Sequence, residues 1–315
     1  MQYAPIALFT YNRPDKTKRV LESLMQNAEA KDSDLFIFSD GPKNEKAAEG
    51  VKANREFLHS FKVSLLHREG WSGAITIIER EKNWGLANSL IAGITELCEN
   101  YGRVIVVEDD LILSPYFLKF MNDGLNKYEN DDRVASISAF VNPVEGDVPN
   151  NFFLRYFACW GWATWKRGWD LLETDTKKLL KQIRWKVNDF NIGGAGGFYG
   201  MLYCQKVGLV DSWAVRFYAS QFLAGKLQLF PVETLAIQNG TDGTGTHSVK
   251  AETTYSDMKL CMHPISLTDI PVEENKYMYR LYSEYLAIRN NLSTIKFQYN
   301  RLKSFVRRLM GIDYR

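Results

Sequence analysis

Apolar positions along the chain fall into short unbroken runs separated by stretches with helical spacing. The runs Ala4–Thr10, Leu35–Phe38, Phe61–Leu66, Ile75–Ile78 and Arg103–Val107 predict strands. Between the first two, Val20, Leu21, Leu24 and Met25 recur one helical turn apart. They predict a helix over Pro14–Glu29, with Pro14 suited to its first turn. Asn44–Ser60 reads as a second helix, anchored at its end by Phe57 and Leu58. Leu86, Leu90, Ile94 and Leu97 predict a third helix, running to about Glu99. Alternating strands and helices up to residue 110 are the pattern of βαβ units, and so of an α/β fold with a mostly parallel central sheet flanked by helices. The continuous run Val104–Val107 fits a strand covered on both faces.

Beyond residue 110 the pattern is less regular. A helix is predicted over Pro115–Tyr128 and a strand over Val134–Phe140, and Pro, Gly and acidic residues mark a loop over Asn142–Asn151. Phe152–Trp169 then carries eight aromatic residues, interrupted by Gly161 and Gly168. Such a stretch is either core or a ring-lined platform for an acceptor. Thr174–Asn188, Phe198–Val207 and Ser212–Gly225 read as helices, with a glycine-rich connection over Asn191–Gly200. Leu227–Phe230 and Thr234–Ile237 read as short strands, and Gln238–Val249 as a Gly/Thr-rich loop containing His247. A long helix is expected over Glu273–Asn290, followed by a basic amphipathic segment from about Ile295 to Met310. That last segment reads either as a helix packed on the domain or as a contact with an anionic membrane surface.

Composition narrows the class. With 315 residues, 45% hydrophobic and 24% charged, the chain can bury a sizeable core and resembles ordinary globular proteins. A net charge of +2 is too small to argue for a nucleic-acid partner. The cysteines at 98, 159, 204 and 261 form no CxxC pair, and read as reduced thiols of a cytoplasmic protein. No apolar run is long enough for a transmembrane helix, and the first residues look like a strand, not a signal peptide.

The strongest chemical signal is the acidic run Glu108-Asp109-Asp110 directly after the apolar strand. Three carboxylates cannot enter dry core without counter-charge, so the strand is expected to end there and open into a cleft. Hard oxygen donors at such an edge suit Mg²⁺ or Mn²⁺ holding a substrate phosphate. Asp40, ahead of Gly41-Pro42, reads equally as a turn former or as an acceptor for a base or ribose. Asp211, just before a predicted helix, reads as an N-cap or as a general base. Arg13 and Arg80 each follow a predicted strand, where each is either a surface arginine or a source of positive charge near phosphates.

Taken in order, these segments resemble a bacterial glycosyltransferase of the GT-A fold, in the broad group of family-2-like enzymes. The resemblance covers most of residues 4–247. Thr10-Tyr11-Asn12-Arg13-Pro14 is similar to the family's nucleotide-binding start, and Asp40 falls where such enzymes hold the base or ribose. Asn83-Trp84-Gly85-Leu86-Ala87-Asn88 resembles the segment between nucleotide and sugar sites. The run Val107–Asp110 is similar to the metal motif of the N-acetylglucosaminyltransferase I group, which implies Asp110 as the direct ligand, with Glu108 and Asp109 toward the sugar, the ribose or metal-bound water. Trp160–Trp165 resembles a segment common in bacterial members, and Gly245-Thr246-His247 a late segment whose His completes the metal site.

The resemblance implies a nucleotide-diphosphate sugar donor, with UDP favoured, a glycan or glycoconjugate acceptor, an Mn²⁺ or Mg²⁺ cofactor, and an inverting reaction with Asp211 as base. It divides the chain into a nucleotide-sugar half (1–141), an acceptor and catalytic half of the same domain (142–270) and a helical C-terminal extension (271–315). A cytoplasmic enzyme, peripheral at the inner face of the membrane, would follow. Two other readings stay open: a non-catalytic carbohydrate-binding or scaffold protein on the same fold, and a nucleotidyltransferase. Tyr11-Asn12-Arg13-Pro14 stands where the latter class often carries a glycine-rich basic loop, which weighs against it.

Overall fold

The computed structural model describes residues 3–67, 70–239 and 258–292. His247 and the basic segment 295–310 lie outside the described residues. Ten strands are present among those described: β1 (Ile6–Thr10), β2 (Leu35–Ser39), β3 (Ile75–Glu79), β4 (Arg103–Glu108), β5 (Leu111–Leu113), β6 (Val134–Ser138), β7 (Asn151–Leu154), β8 (Trp162–Trp165), β9 (Leu227–Pro231) and β10 (Ala236–Gln238). The helices are α1 (Pro14–Leu24), α2 (Glu45–Leu66), α3 (Leu86–Tyr101), α4 (Phe117–Lys127), α5 (Lys166–Trp169), α6 (Thr176–Ile183), α7 (Val187–Phe190), α8 (Phe198–Lys206), α9 (Trp213–Leu223) and α10 (Lys276–Arg289).

Eight strands form one sheet in the order β3-β2-β1-β4-β8-β6-β9-β7. The first four are mutually parallel, as the βαβ pattern predicts. Past β4 the sheet becomes mixed: β8 runs antiparallel to both β4 and β6, β6 is parallel to β9, and β7 is antiparallel to β9. The small strands β5 and β10 pair antiparallel with each other.

Alternation along the parallel strands sends neighbouring residues to opposite faces. Ile6, Leu8, Ile105 and Val107 join the core under α1, α2 and α4. Ala7, Phe9, Val104 and Val106 join the core under α3, α6 and α9. A third cluster lies toward the β7 edge, where Met278, Leu281, Tyr282 and Leu286 of α10 pack with Phe140, Phe152 and Phe230. No helix among the described residues is long and apolar enough to cross a membrane.

One local expectation changes, and one open reading is largely answered. Phe61–Leu66 is not a strand but the last part of α2. Val51, Asn54, Leu58 and Leu65 are buried at helical spacing, Phe57 and Phe61 pack on the same core, and Val63 and Leu66 face solvent. The apolar run is therefore one helix stripe crossed by two exposed residues, not a covered strand. The aromatic stretch is largely core: Phe152 and Phe153 are buried in β7, and Trp162 in β8. Trp162 stacks on Trp213 with centroids 5.3 Å apart, and Phe157 meets Trp162 edge-on at 5.1 Å. The glycines that interrupt it serve close approach. Gly161 takes a φ of 65°, and an added Cβ would meet the Phe117 ring at 2.9 Å. At Gly168 an added Cβ would lie 2.2 Å from the Ala135 carbonyl oxygen, which is fixed in β6.

Gly168→Ala is therefore expected to destabilise the fold by roughly 1–3 kcal/mol, although alanine is the better helix former. A urea midpoint equal to or above the wild-type value would show that α5 can move away from β6.

Candidate active site

All four parallel strands end at the same edge. Their registers place Thr10, Ser39 and Glu79 in one row, with Phe9 opposite Glu108. Backbone hydrogen bonds extend the row past the strand ends: Asp40 N donates to Thr10 O (3.1 Å), Arg80 N to Ser39 O (2.9 Å) and Asp109 N to Phe9 O (3.1 Å). Thr10, Tyr11, Asn12, Arg13, Asp40, Arg80 and Glu108–Asp110 are thus brought to one end of the sheet, where an open α/β fold binds ligands.

Arg13 is the counter-charge that the acidic run requires. Its Nη2 donates to Asp109 Oδ1, its Nε lies 3.4 Å from Asp109 Oδ2, and its Nη2 lies 3.6 Å from Asp110 Oδ2. Asp109 also accepts from the Tyr11 backbone. Burial works against the Arg13 charge, but Asp109, Asp110 and Glu108 more than offset it and raise the Arg13 pKa. One cation does not neutralise three acids. Burial, with Asp110 and Asp109 adding to it, pushes the Glu108 carboxyl up to about 8. Burial also pushes Asp109 up to about 6, against the opposing pull of Arg13. The Cys159 thiol, raised by burial, feels Glu108 and Asp110 as well, which puts the start of the β8 segment beside the acids. Asp110 is held from the far side of the chain: Asn239 N donates to its carbonyl oxygen (2.6 Å), and Gln238 Nε2 lies 3.4 Å from its Oδ2. Arg13 Nη1 and Asn239 Nδ2 are buried with no partner among the described residues. Two orphaned donors beside a carboxylate cluster fit a polar, anionic ligand.

Asp40 is committed to its own loop. Its carboxylate accepts from Gly41 N (2.9 Å), Asn83 Nδ2 (3.1 Å), Trp84 N (2.9 Å) and Gly85 N (3.0 Å). That fills the four or so lone-pair sites of a carboxylate. The side chain therefore fixes residues 83–85 at the start of α3. Asn83 also donates to Gly41 O (2.8 Å), and the exposed Asn88 donates to Trp84 O (2.9 Å). The Arg80 guanidinium lies 3.8 Å from the Trp84 ring centroid. The sequence reading missed Arg55. From α2 it reaches the carbonyl oxygens of Ser39, Asp40 and Arg80, the last at 2.7 Å, and so ties two strand ends together. The signal was its neighbour Asn54, a polar residue in the apolar stripe of α2, whose amide donates to Thr10 Oγ1 (3.1 Å).

Asp211 is exposed and is not the N-cap of α9; Ser212 is, accepting from Val215 N. Asp211 pairs with Arg216 (3.1 Å) and contacts Gln205 (3.5 Å). Two residues on, Trp213 stacks on Trp162, which pairs with Val106 of β4. The start of α9 is therefore anchored near the acidic end of β4.

A different group has the donor set for a divalent metal. Among the described residues, Glu233, Cys261 and His263 bring ligand atoms within 4.8 Å of one another, whereas the three consecutive acids do not converge as a trio in this way.

Residues 6–198 match the family described as Glycosyl transferase family 2. The match spans more than half of the chain, and the chain belongs to this family. Its fold is the GT-A-like α/β arrangement with helices on both faces of the sheet and a helical C-terminal part. Its class is glycosyltransferase: at family level, a sugar passes from a nucleotide-activated donor to an acceptor glycan. No curated protein matches the chain. Among solved structures, a protein from Desulfovibrio desulfuricans G20 provisionally described as a nucleotide-diphospho-sugar transferase is 14% identical, over 55% of this chain and 69% of that one, with a TM-score of 0.33. The glycosyltransferase GlyE of Streptococcus pneumoniae TIGR4 is 12% identical, over 58% of this chain and 39% of its own, with a TM-score of 0.34.

Raised carboxyl pKa values mean that the folded state holds protons that the unfolded chain releases. Stability of the metal-free protein is then expected to fall as pH rises, through Asp109 up to about 6 and through Glu108 up to about 8. Each group contributes a slope of up to ~1.4 kcal/mol per pH unit within its window. Thermal unfolding in chelator should show Glu108→Gln declining less between pH 6 and 8 than wild type; parallel curves would count against a strained Glu108. Separately, Asp40→Asn replaces acceptors with donors facing N–H groups. It is expected to cost ~1–3 kcal/mol in urea unfolding. An unchanged midpoint would mean that the 83–85 loop does not depend on the carboxylate.

Proposed function

We propose that this chain transfers a sugar from a nucleoside-diphosphate donor, UDP-linked in the first instance, to a hydroxyl of a glycan acceptor with inversion at the sugar carbon. The observation that carries this reading is the Arg13–Asp109–Asp110 arrangement at the common end of four parallel strands, with Arg13 Nη1 buried and unpartnered among the described residues. A guanidinium in that position suits a phosphate oxygen. The crowded carboxylates suit a hard divalent ion, because an added cation offsets the burial that chiefly raises Glu108 and Asp109 and the mutual repulsion that adds to it.

In this proposal Asp110 holds Mn²⁺ or Mg²⁺, as the finer likeness to the N-acetylglucosaminyltransferase I group suggests, with His247 as a further ligand. When bound, such an ion supplies electrostatic assistance to departure of the nucleoside diphosphate. Asp109 keeps Arg13 charged and aimed, and Glu108 faces the sugar or ribose. Thr10, Tyr11 and Asn12 border the nucleotide. Asp40 works as a positioning residue, presenting Asn83, Trp84 and the start of α3. Arg80 lies over Trp84 and brings positive charge to the same side; Asn88 lies one helical turn further along. Asp211 takes the proton from the acceptor hydroxyl as the sugar–oxygen bond forms, and the bond to the diphosphate oxygen breaks. For this it must leave Arg216, which its exposure permits.

The test is to incubate the full chain with a panel of nucleotide sugars, with and without Mn²⁺, following thermal protection and donor hydrolysis. Metal-dependent protection by one UDP-sugar is expected, lost in Asp110→Ala. With an acceptor in hand, Asp211→Asn is expected to lower kcat by ~10²–10⁴-fold while donor protection persists. Absence of protection by every nucleotide sugar in a folded sample would favour a binding or scaffold protein.

A further inference from the structure

Glu233 lies in the short turn between β9 and β10, and Cys261 and His263 lie on the chain that is described again from residue 258. Bonds to backbone groups hold the two segments together independently of the three ligand-type side chains. Cys261 N donates to Thr234 O at 2.9 Å. Ser114 links to both sides: its Oγ donates to Cys261 O (2.6 Å), and its N donates to Leu235 O (2.8 Å). Cys261 is buried, whereas Glu233 and His263 are exposed. Their polar atoms already face one another. His263 Nε2 and Glu233 Oε1 are 3.1 Å apart, and the Cys261 thiol donates to His263 O at 3.2 Å.

We propose that Glu233, Cys261 and His263 form a binding site for Zn²⁺ or a similar borderline ion, separate from the transfer site and independent of the reading given for it. A thiol, an imidazole and a carboxylate are the ligand types of tetrahedral zinc sites, in which three protein ligands leave a fourth position to water. Bond lengths of ~2.0–2.3 Å put neighbouring ligand atoms about 3.5 Å apart. The present spread, within 4.8 Å, closes to that value by rotation of the two exposed side chains about a fixed cysteine. Binding replaces the S–H bond with a sulfur–metal bond and releases one proton to solvent. The histidine donates a neutral nitrogen lone pair and the carboxylate an oxygen lone pair. The thiolate and imidazole select against Mg²⁺, so this site and the hard oxygen donors of Asp110 sort different ions.

The placement gives the ion a positioning role. Glu233 lies three residues before the start of β10, which pairs with β5 next to the acids, and Asn239 just after β10 holds the Asp110 carbonyl. A metal clamp at the root of β10 fixes the strand that fixes Asp110.

The experiment uses the full chain, stripped with chelator and titrated with Co²⁺. One equivalent is expected to bind with a thiolate-to-cobalt charge-transfer band, displaced by Zn²⁺ and untouched by excess Mg²⁺. His263→Ala and Glu233→Gln, both at exposed positions, are expected to weaken binding about tenfold or more. Cys261→Ser should abolish the band, and Asp110→Asn should leave it intact. Absence of a thiolate band would overturn the proposal. So would a band that survives Cys261→Ser, or wild-type affinity retained in both His263→Ala and Glu233→Gln. If Cys261→Ser does not fold, the two exposed variants decide.

Discussion

A strand that is covered on both faces and ends in three carboxylates is stable only if something answers the charge. In this chain the answer is Arg13, delivered by the exit of the neighbouring strand and paired with Asp109. The pair is costly to desolvate and costly to break, since loss of either partner strands the other in a protein environment. Everything at that edge is arranged around it. Pro14 starts α1 immediately after Arg13, so the guanidinium leaves from a fixed backbone position. Asn239 and Gln238 hold Asp110 from the opposite side. What the pair leaves over is one carboxylate, Asp110, and a buried carboxyl, Glu108, that holds its proton well above the usual range.

The edge works as two supports of different character. On the β2–β3 side, Asp40 and Arg55 use backbone groups as their partners and build a rigid rim. On the β8 side, rigidity comes from stacked rings, with Trp162 between Phe157 and Trp213. Polar cross-bracing suits the side proposed to meet a nucleotide's many hydrogen-bonding groups. Aromatic packing suits the side that seats α9 and the residues before it. Much of the aromatic richness of Phe152–Trp169 thus serves as a foundation.

What could be read from the sequence follows from range. The strand β4 and its acidic end were legible because apolar run and charge are contiguous. The helix α3 was legible because its apolar residues keep one spacing throughout. The pairing of Arg13 with Asp109 spans 96 positions, and no local pattern marks it. Strand β5 is three residues long, too short to register against its neighbours. The end of α2 misled because Phe61–Leu66 is apolar enough for a strand, and only the core contacts of Leu58 and Leu65 settle its phase. Asp40 announced a turn through Gly41-Pro42, but three of the four donors to its carboxylate come from residues 83–85.

The order of strands carries a consequence for how the chain is made. The quartet β3-β2-β1-β4 is complete in sequence by Glu108, but the outer neighbour of β4 is β8, which begins at Trp162. During synthesis the hydrogen-bonding edge of β4 therefore waits, bare, for at least fifty further residues, beside an acidic terminus whose brace β10 arrives later still. Non-local pairing of this kind slows folding, and an uncovered apolar edge invites pairing with other chains. The negative charge at its end works against pairing of that edge with a second copy of itself. The same carboxylates thus act as a safeguard for the nascent chain.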